Sequence, residues 1–219
     1  MCLIYQTKKI SKGVKSMKDI FTSIYKNSLW GNSESVSGTG SSIAQTSKII
    51  KQLPILIKEF QIRTILDAPC GDFHWMKKVT SGLELYTGVD IVSELIKENI
   101  RKYSSYNRQF LNLDISKEPL PTADLILCRD CLVHLSFNDI NSVINNFKNT
   151  ESKYLLTTTF TNRPWNIDIK TGGWRPLNLE IYPFTLSKPI LVINENCTEG
   201  NMEYNDKSLA LWDLAQLSI

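Results

Sequence analysis

Thr64-Ile65-Leu66-Asp67-Ala68-Pro69-Cys70-Gly71-Asp72-Phe73-His74-Trp75 decides how this chain folds. A short β-type apolar run ends in an acidic residue, enters a tight loop that holds a glycine, and opens into a helical pattern. In open α/β folds such a unit places a ligand, because free backbone N–H groups and a helix N-terminus face the crevice beyond the strand. Gly71 permits close backbone approach, and Pro69 fixes a tight turn as firmly as glycine relaxes one.

Working outward, the same unit repeats. Leu85 to Val89 reads as a second strand, ending at Asp90, and Ile91, Leu95, Ile96 and Ile100 form the inner face of the helix after it. Phe110 to Leu113 makes a third strand, Ala123 to Cys128 a fourth beyond Pro119 and Pro121, and Tyr154 to Thr159 a fifth rich in β-branched residues. Between the last two, Ile140, Val143, Ile144 and Phe147 mark an amphipathic helix. Strands and helices alternating in this way predict an α/β fold with a Rossmann-like, doubly wound, mainly parallel sheet. Ile190 to Asn194 and Leu209 to Leu214 fit an antiparallel C-terminal strand pair that closes it.

Upstream, Ile20, Phe21, Ile24, Tyr25 and Leu29 predict a helix over Met17 to Trp30, and Gly31 to Ser42 is a glycine- and serine-rich loop. From Ile43 a second helix runs to Phe60, with Pro54 expected to kink or split it. After Trp75 a short helix is expected to end near Gly82. Residues 1–60 therefore read as helices and a loop, a flexible linker or a lid, packed on a core at 61–219, and 160–188 as an acceptor-binding insertion of aromatics, prolines and glycines with no clean period.

A length of 219 residues suits one such domain. A net charge of +3 gives no strongly basic face, so nucleic acid is not the favoured partner. Lys8, Lys9, Lys12, Lys15 and Lys18 crowd the N-terminus, as a solvated end does. No apolar run reaches the length a membrane helix needs. The five cysteines, Cys2, Cys70, Cys128, Cys131 and Cys197, are an odd, scattered set without a secretory leader ahead of them, which predicts reduced thiols and a cytoplasmic location. Cys128-x-x-Cys131 has half a zinc site's spacing, but no second pair completes it, and no metal is assigned.

Asp67-x-Pro69-Cys70-Gly71, Tyr86-Thr87-Gly88-Val89-Asp90, Leu111-Asn112-Leu113-Asp114 and Ala123-Asp124-Leu125-Ile126-Leu127-Cys128 resemble, in order and spacing, the class I S-adenosylmethionine (SAM)-dependent methyltransferases. Pro69 and Phe73 stand where that family more often has glycine. The resemblance implies SAM as cofactor, with Asp67, Ala68, Pro69, Cys70, Gly71 and Trp75 around its methionine part. Asp90, which lies 23 positions after Asp67, would take the ribose, because a carboxylate at a strand tip accepts hydrogen bonds from both hydroxyls. Asp114, Ile91 and Ile115 would meet the adenine, with Arg129 at the fourth strand's tip also beside the cofactor. A helix cap or a turn explains Asp90 or Asp114 equally simply.

Asp130 and His134 follow the fourth strand, where a general base would take the proton of an acceptor hydroxyl; Asp130 would orient the imidazole or be the base itself, and His134 as a structural cap is the plainer reading. Arg163, Trp165, Trp174, Arg175 and Asn178 offer aromatic faces and polar groups suited to a sugar ring, or to plain core packing. Gly173-Trp174-Arg175-Pro176-Leu177-Asn178-Leu179 also looks like a segment of small methyltransferases that modify glycans. The expectation is an O-methyltransferase acting on a small acceptor, a sugar residue of a glycan foremost. An amine or RNA acceptor is the alternative, although the Asn/Asp-Pro-Pro-aromatic tetrad of amino-methylating nucleic-acid enzymes is absent. A nicotinamide (NAD)-dependent oxidoreductase would want Gly-x-Gly-x-x-Gly, and this loop offers one glycine. A non-catalytic SAM-fold module, a divalent cation near Asp130 and His134, and the oligomeric state stay open.

Overall fold

A computed structural model describes residues 15–217; Cys2, Lys8, Lys9 and Lys12 lie outside the described residues. Helix α1 (Met17–Lys26) starts in a capping box, with the Asp19 N–H donating to Ser16 Oγ at 3.1 Å and the Ser16 N–H to Asp19 Oδ2 at 3.2 Å. It stops short of the expected Trp30 because Asn27 Nδ2 donates to the Ser23 carbonyl at 2.7 Å and Ser28 adopts φ 50°. Trp30 is thereby turned off the helix and into a crevice. Helix α2 (Ile43–Glu59) is one helix, with Pro54 inside it. The proline sits on the exposed face, while Ile49, Leu53 and Leu56 bury the other, so packing holds the helix together across the missing donor.

Strands β1 (Thr64–Asp67), β2 (Leu85–Asp90), β3 (Arg108–Asn112), β4 (Leu125–Cys128) and β5 (Tyr154–Phe160) pair in parallel, β6 (Leu191–Asn194) and β7 (Lys207–Asp213) antiparallel, in the order β3-β2-β1-β4-β5-β7-β6. The last strand in sequence is thus inserted between β5 and β6. Helices α3 (Ser93–Tyr103) and α4 (Phe137–Lys148) complete the crossovers. The helix expected after Trp75 is only a 3₁₀ turn, Met76–Lys78.

Adjacent strand residues face opposite layers. Leu66, Ile126, Leu155 and Ala210 pack in the layer of Ile140, Val143, Ile144 and Phe147 of α4. Ile65, Leu125, Leu127, Leu156 and Leu209 pack in the layer of Ile49, Leu53 and Leu56 of α2. Phe147 is fully buried, and its truncation to alanine costs about 3–5 kcal/mol. The segment between β5 and β6 contains no helix or strand, yet it is pinned to the domain. Arg175 donates to the carbonyls of Leu132 and Leu135 at 2.8 Å each, and Leu177, Leu179 and Phe184 are buried.

Candidate active site

The sheet order reverses between β1 and β4, and the tips of those strands and β2 open into one cavity of about 520 Å³. Its floor at the β1 and β2 tips is acidic. Asp67 accepts a 2.6 Å hydrogen bond from Tyr86 Oη; Asp90 accepts the Val92 N–H at 2.9 Å and the Gly71 N–H at 3.3 Å. Burial pushes Asp67 up to about 7 and Asp90 up to about 6, against those same hydrogen bonds. Neither forms an ion pair among the described residues. The loop after β1 is pressed onto β2: a Cβ at Gly88 would lie 2.7 Å from Phe110 and 3.0 Å from Cys70, so only glycine fits there. Gly71 itself has φ 52°, and the Ala68–Pro69 peptide is cis.

The β4 and β7 side is built differently. Arg129 grips Glu195 through Nε at 3.2 Å and Nη2 at 2.7 Å, and Lys207 Nζ lies 2.7 Å from Asp130 Oδ2 and 3.6 Å from Glu195. Arg129 Nη1 is also 3.2 Å from Asp130. Burial pushes the Asp130 carboxyl up, but Arg129 and Lys207 outweigh it and hold the group at about 2. The same carboxylates hold Arg129 and Lys207 firmly protonated against burial. A carboxylate so engaged is a poor proton acceptor at neutral pH, which favours the orienting role expected of Asp130 over that of base.

His134 follows on a 3₁₀ turn, Leu132–His134. Its Nδ1 is 2.7 Å from the Gly173 carbonyl. A carbonyl only accepts, so Nδ1 carries the proton and, in the neutral ring, Nε2 keeps its lone pair; His134 lines the cavity. Burial holds the imidazole below the usual histidine value, against the Gly173 bond and the Asp130 charge. Burial thus favours the neutral ring, the form a base requires. Trp30, Phe160, Trp174 and Tyr204 form the cavity's aromatic wall, with Trp174 and Tyr204 edge to face at 4.8 Å.

Residues 36–41 cross the mouth. Asp72 Oδ2 accepts from Ser35 Oγ at 2.8 Å and the Val36 N–H at 3.0 Å; farther along, Arg129 Nη2 donates to the Gly40 carbonyl at 2.9 Å and Thr39 Oγ1 to Glu199 at 2.5 Å.

No family model and no curated protein matches the sequence. Solved structures do match. N-methyltransferase NodS from Bradyrhizobium japonicum WM9, in complex with S-adenosyl-L-homocysteine (SAH), superposes with a TM-score of 0.65 at 15% identity, over 89% of this chain and 98% of that one. The fold is that of the class I methyltransferases. Human N-acetylserotonin methyltransferase with SAM gives 0.57 at 13% identity over 91% of this chain and 60% of that one. Magnesium protoporphyrin IX methyltransferase from Synechocystis PCC 6803 with SAM gives 0.53 at 12% over 72% and 83%.

On this methyltransferase fold, Asp67, Pro69, Cys70, Gly71, Trp75, Asp90, Ile91, Asp114, Ile115, Arg129, Asp130, His134 and Trp174 line one cavity. Ala68 is buried beneath it, donating its N–H to Leu127 O at 2.8 Å. Asp114 is engaged by Ser116 at 2.6 Å and Lys117 at 2.8 Å, which hold its carboxyl below the ordinary value despite burial. The other expected acceptor residues lie off the cavity. Arg163 pairs with Asp206 at 2.6 Å, Arg175 and Asn178 serve backbone groups, and Trp165 is 69% exposed. The sequence reading missed Trp30, Phe160, Tyr204, Glu195, Glu199 and Lys207. The insertion of β7 beside β5 brings Phe160, Tyr204, Glu195, Glu199 and Lys207 together, and the end of α1 brings Trp30.

Proposed function

We propose that this chain transfers a methyl group from SAM to a hydroxyl of a small acceptor, a sugar residue of a glycan being the class its aromatic wall suits. The carrying observation is the pair of buried strand-tip carboxylates, Asp67 and Asp90, neither of which forms an ion pair among the described residues, Arg129 being taken up by Glu195 and Asp130. Buried carboxylates of that kind favour a ligand that brings a positive charge and hydroxyl donors, as SAM does. The cavity's volume of about 520 Å³ also falls within the range of cofactor sites.

Asp90 would accept the ribose hydroxyls, Ile91, Leu95 and Ile115 would pack on the adenine beside Asp114, and the Pro69–Asp72 loop would receive the methionine part. Bound there, SAM supplies an electrophilic methyl on a sulfonium. The protein's share is positioning and exclusion of water, with the loop at 31–42 as lid. His134 Nε2 takes the acceptor's hydroxyl proton while Nδ1–H stays on Gly173. Trp174 and Tyr204 supply faces for the C–H side of a sugar ring. The four described cysteines are free and buried, which suits a reducing, cytoplasmic compartment; no described helix is long and apolar enough to cross a membrane.

Calorimetric titration with SAM, SAH and NAD tests the cofactor, and labelled SAM against sugars, amines and RNA, with and without chelator, tests the acceptor. Binding of SAM and SAH with label on a hydroxyl is expected. Binding of NAD alone overturns the reading, and label on nitrogen overturns its acceptor half.

A further inference from the structure

The N-terminal segment reaches the imidazole that the foregoing reading makes the base. Trp30 stacks on His134 with ring centroids 4.1 Å apart and planes 27° from parallel. Phe21 of α1 braces the indole edge to face at 5.8 Å. Position 38 is glycine at φ 103°, where a Cβ would lie 3.2 Å from the Trp30 carbonyl, so the lid loop closes tightly behind the indole. On the opposite side α1 meets the turn that holds the other end of the imidazole: a Cβ at Gly172 would lie 2.6 Å from Ile20, and the Gly172 N–H donates to the His134 carbonyl at 2.9 Å. The ring is thus clamped by one face and one edge, and both clamps rest on residues 20–38.

We propose that Trp30 is a positioning residue for His134, fixing the imidazole's plane so that Nδ1–H stays on the Gly173 carbonyl, which sets the tautomer, and Nε2 is left for the acceptor. This rests on the reading of His134 as base. A stacked indole blocks rotation of the ring about its Cβ–Cγ bond, and the Gly173 carbonyl holds its Nδ1 edge. The indole also screens the ring from water, and its loss returns part of that hydration. The charged groups facing the ring are Asp130, which favours the imidazolium, and Arg175 and Lys207, which oppose it; Trp30 variants leave all three in place.

The chain has two histidines, so imidazole nitrogen–proton correlation spectra are assignable with His74→Gln, and they need no acceptor. In the wild type, His134 should appear as the Nδ1–H tautomer, titrate below the ordinary value, and show proton contacts to the Trp30 indole. In Trp30→Leu the titration should move upward and the tautomer signal mix, with Trp30→Phe restoring both. Absent indole contacts in the wild type, or an unchanged titration and tautomer in a folded Trp30→Leu, overturns the proposal. With an acceptor in hand, Trp30→Leu should lower kcat roughly 10- to 100-fold at unchanged KM for SAM. A change confined to the acceptor's KM would make Trp30 a substrate contact only. Full activity in His134→Gln would instead sink the base reading, while the spectra still decide the clamp.

Discussion

Three carboxylates stand at neighbouring strand tips, and they have opposite fates. Asp67 and Asp90, on the β1 and β2 side, are hydrogen-bonded but form no ion pair among the described residues, and burial pushes them up to about 7 and about 6 although Arg129 acts on Asp67 from a distance. Asp130, on the β4 and β7 side, meets Arg129 and Lys207 and is held at about 2. Burial raises all three; what differs is the cation beside them. The first side is left with charge to satisfy, whereas the second has satisfied its own, so the first can take a cationic ligand and the second braces.

The largest effect should come from breaking the braced side. Glu195→Ala leaves Arg129 buried without its bidentate partner and should destabilise the fold by about 3–5 kcal/mol in urea denaturation. A loss below about 1 kcal/mol would mean that water or Asp130 replaces the glutamate. On the open side, Asp90→Ala should leave the fold intact and weaken SAM binding by about 1–3 kcal/mol, the cost of unpaired ribose hydroxyls. Unchanged affinity in calorimetry would place the ribose elsewhere.

The two sides should also answer pH in opposite senses. Asp67 and Asp90 are raised from an ordinary 3.8, so the folded apo protein binds their protons more tightly than the unfolded chain does. Their contribution is full below about pH 4 and is lost as pH rises through about 6 to 7. Asp130 is lowered, so its contribution is present above about pH 4 and is lost as pH falls through about 2. Thermal denaturation of the wild type and Asp67→Asn should show the neutral-range decline flattened in the variant; parallel curves would refute the assignment. The smallest effect belongs to the loop at 36–41. Thr39→Val removes the hydroxyl donated to Glu199 and should cost about 0.5–1.5 kcal/mol, read as faster amide exchange over residues 36–41.

This division also governs what the sequence could disclose. The open side is contiguous with its own signals: Asp67 and Asp90 each close an apolar run, and each strand was legible to within two or three residues. The braced side is assembled from β4, the turn at Glu195 and the start of β7, residues 129, 195 and 207, with no local pattern linking them. Arg175 and Asn178 looked like acceptor ligands because polar residues among aromatics suit a sugar. In the fold Arg175 ties a strandless segment to the Leu132 carbonyl and Asn178 donates to the Arg163 carbonyl within it, a need that sequence alone does not reveal. Trp30 was readable only as a helix end, since its place on His134 depends on where Asn27 stops the helix.

The open side's role is tested most directly by titrating SAM into the protein at pH 5.5 and pH 8 in buffers of different ionisation heat. Tighter binding at pH 8, with protons released on binding, is expected, because ionised Asp67 and Asp90 meet the sulfonium and the ribose. Equal affinity at both pH values with no proton release, or no binding at either, would contradict it.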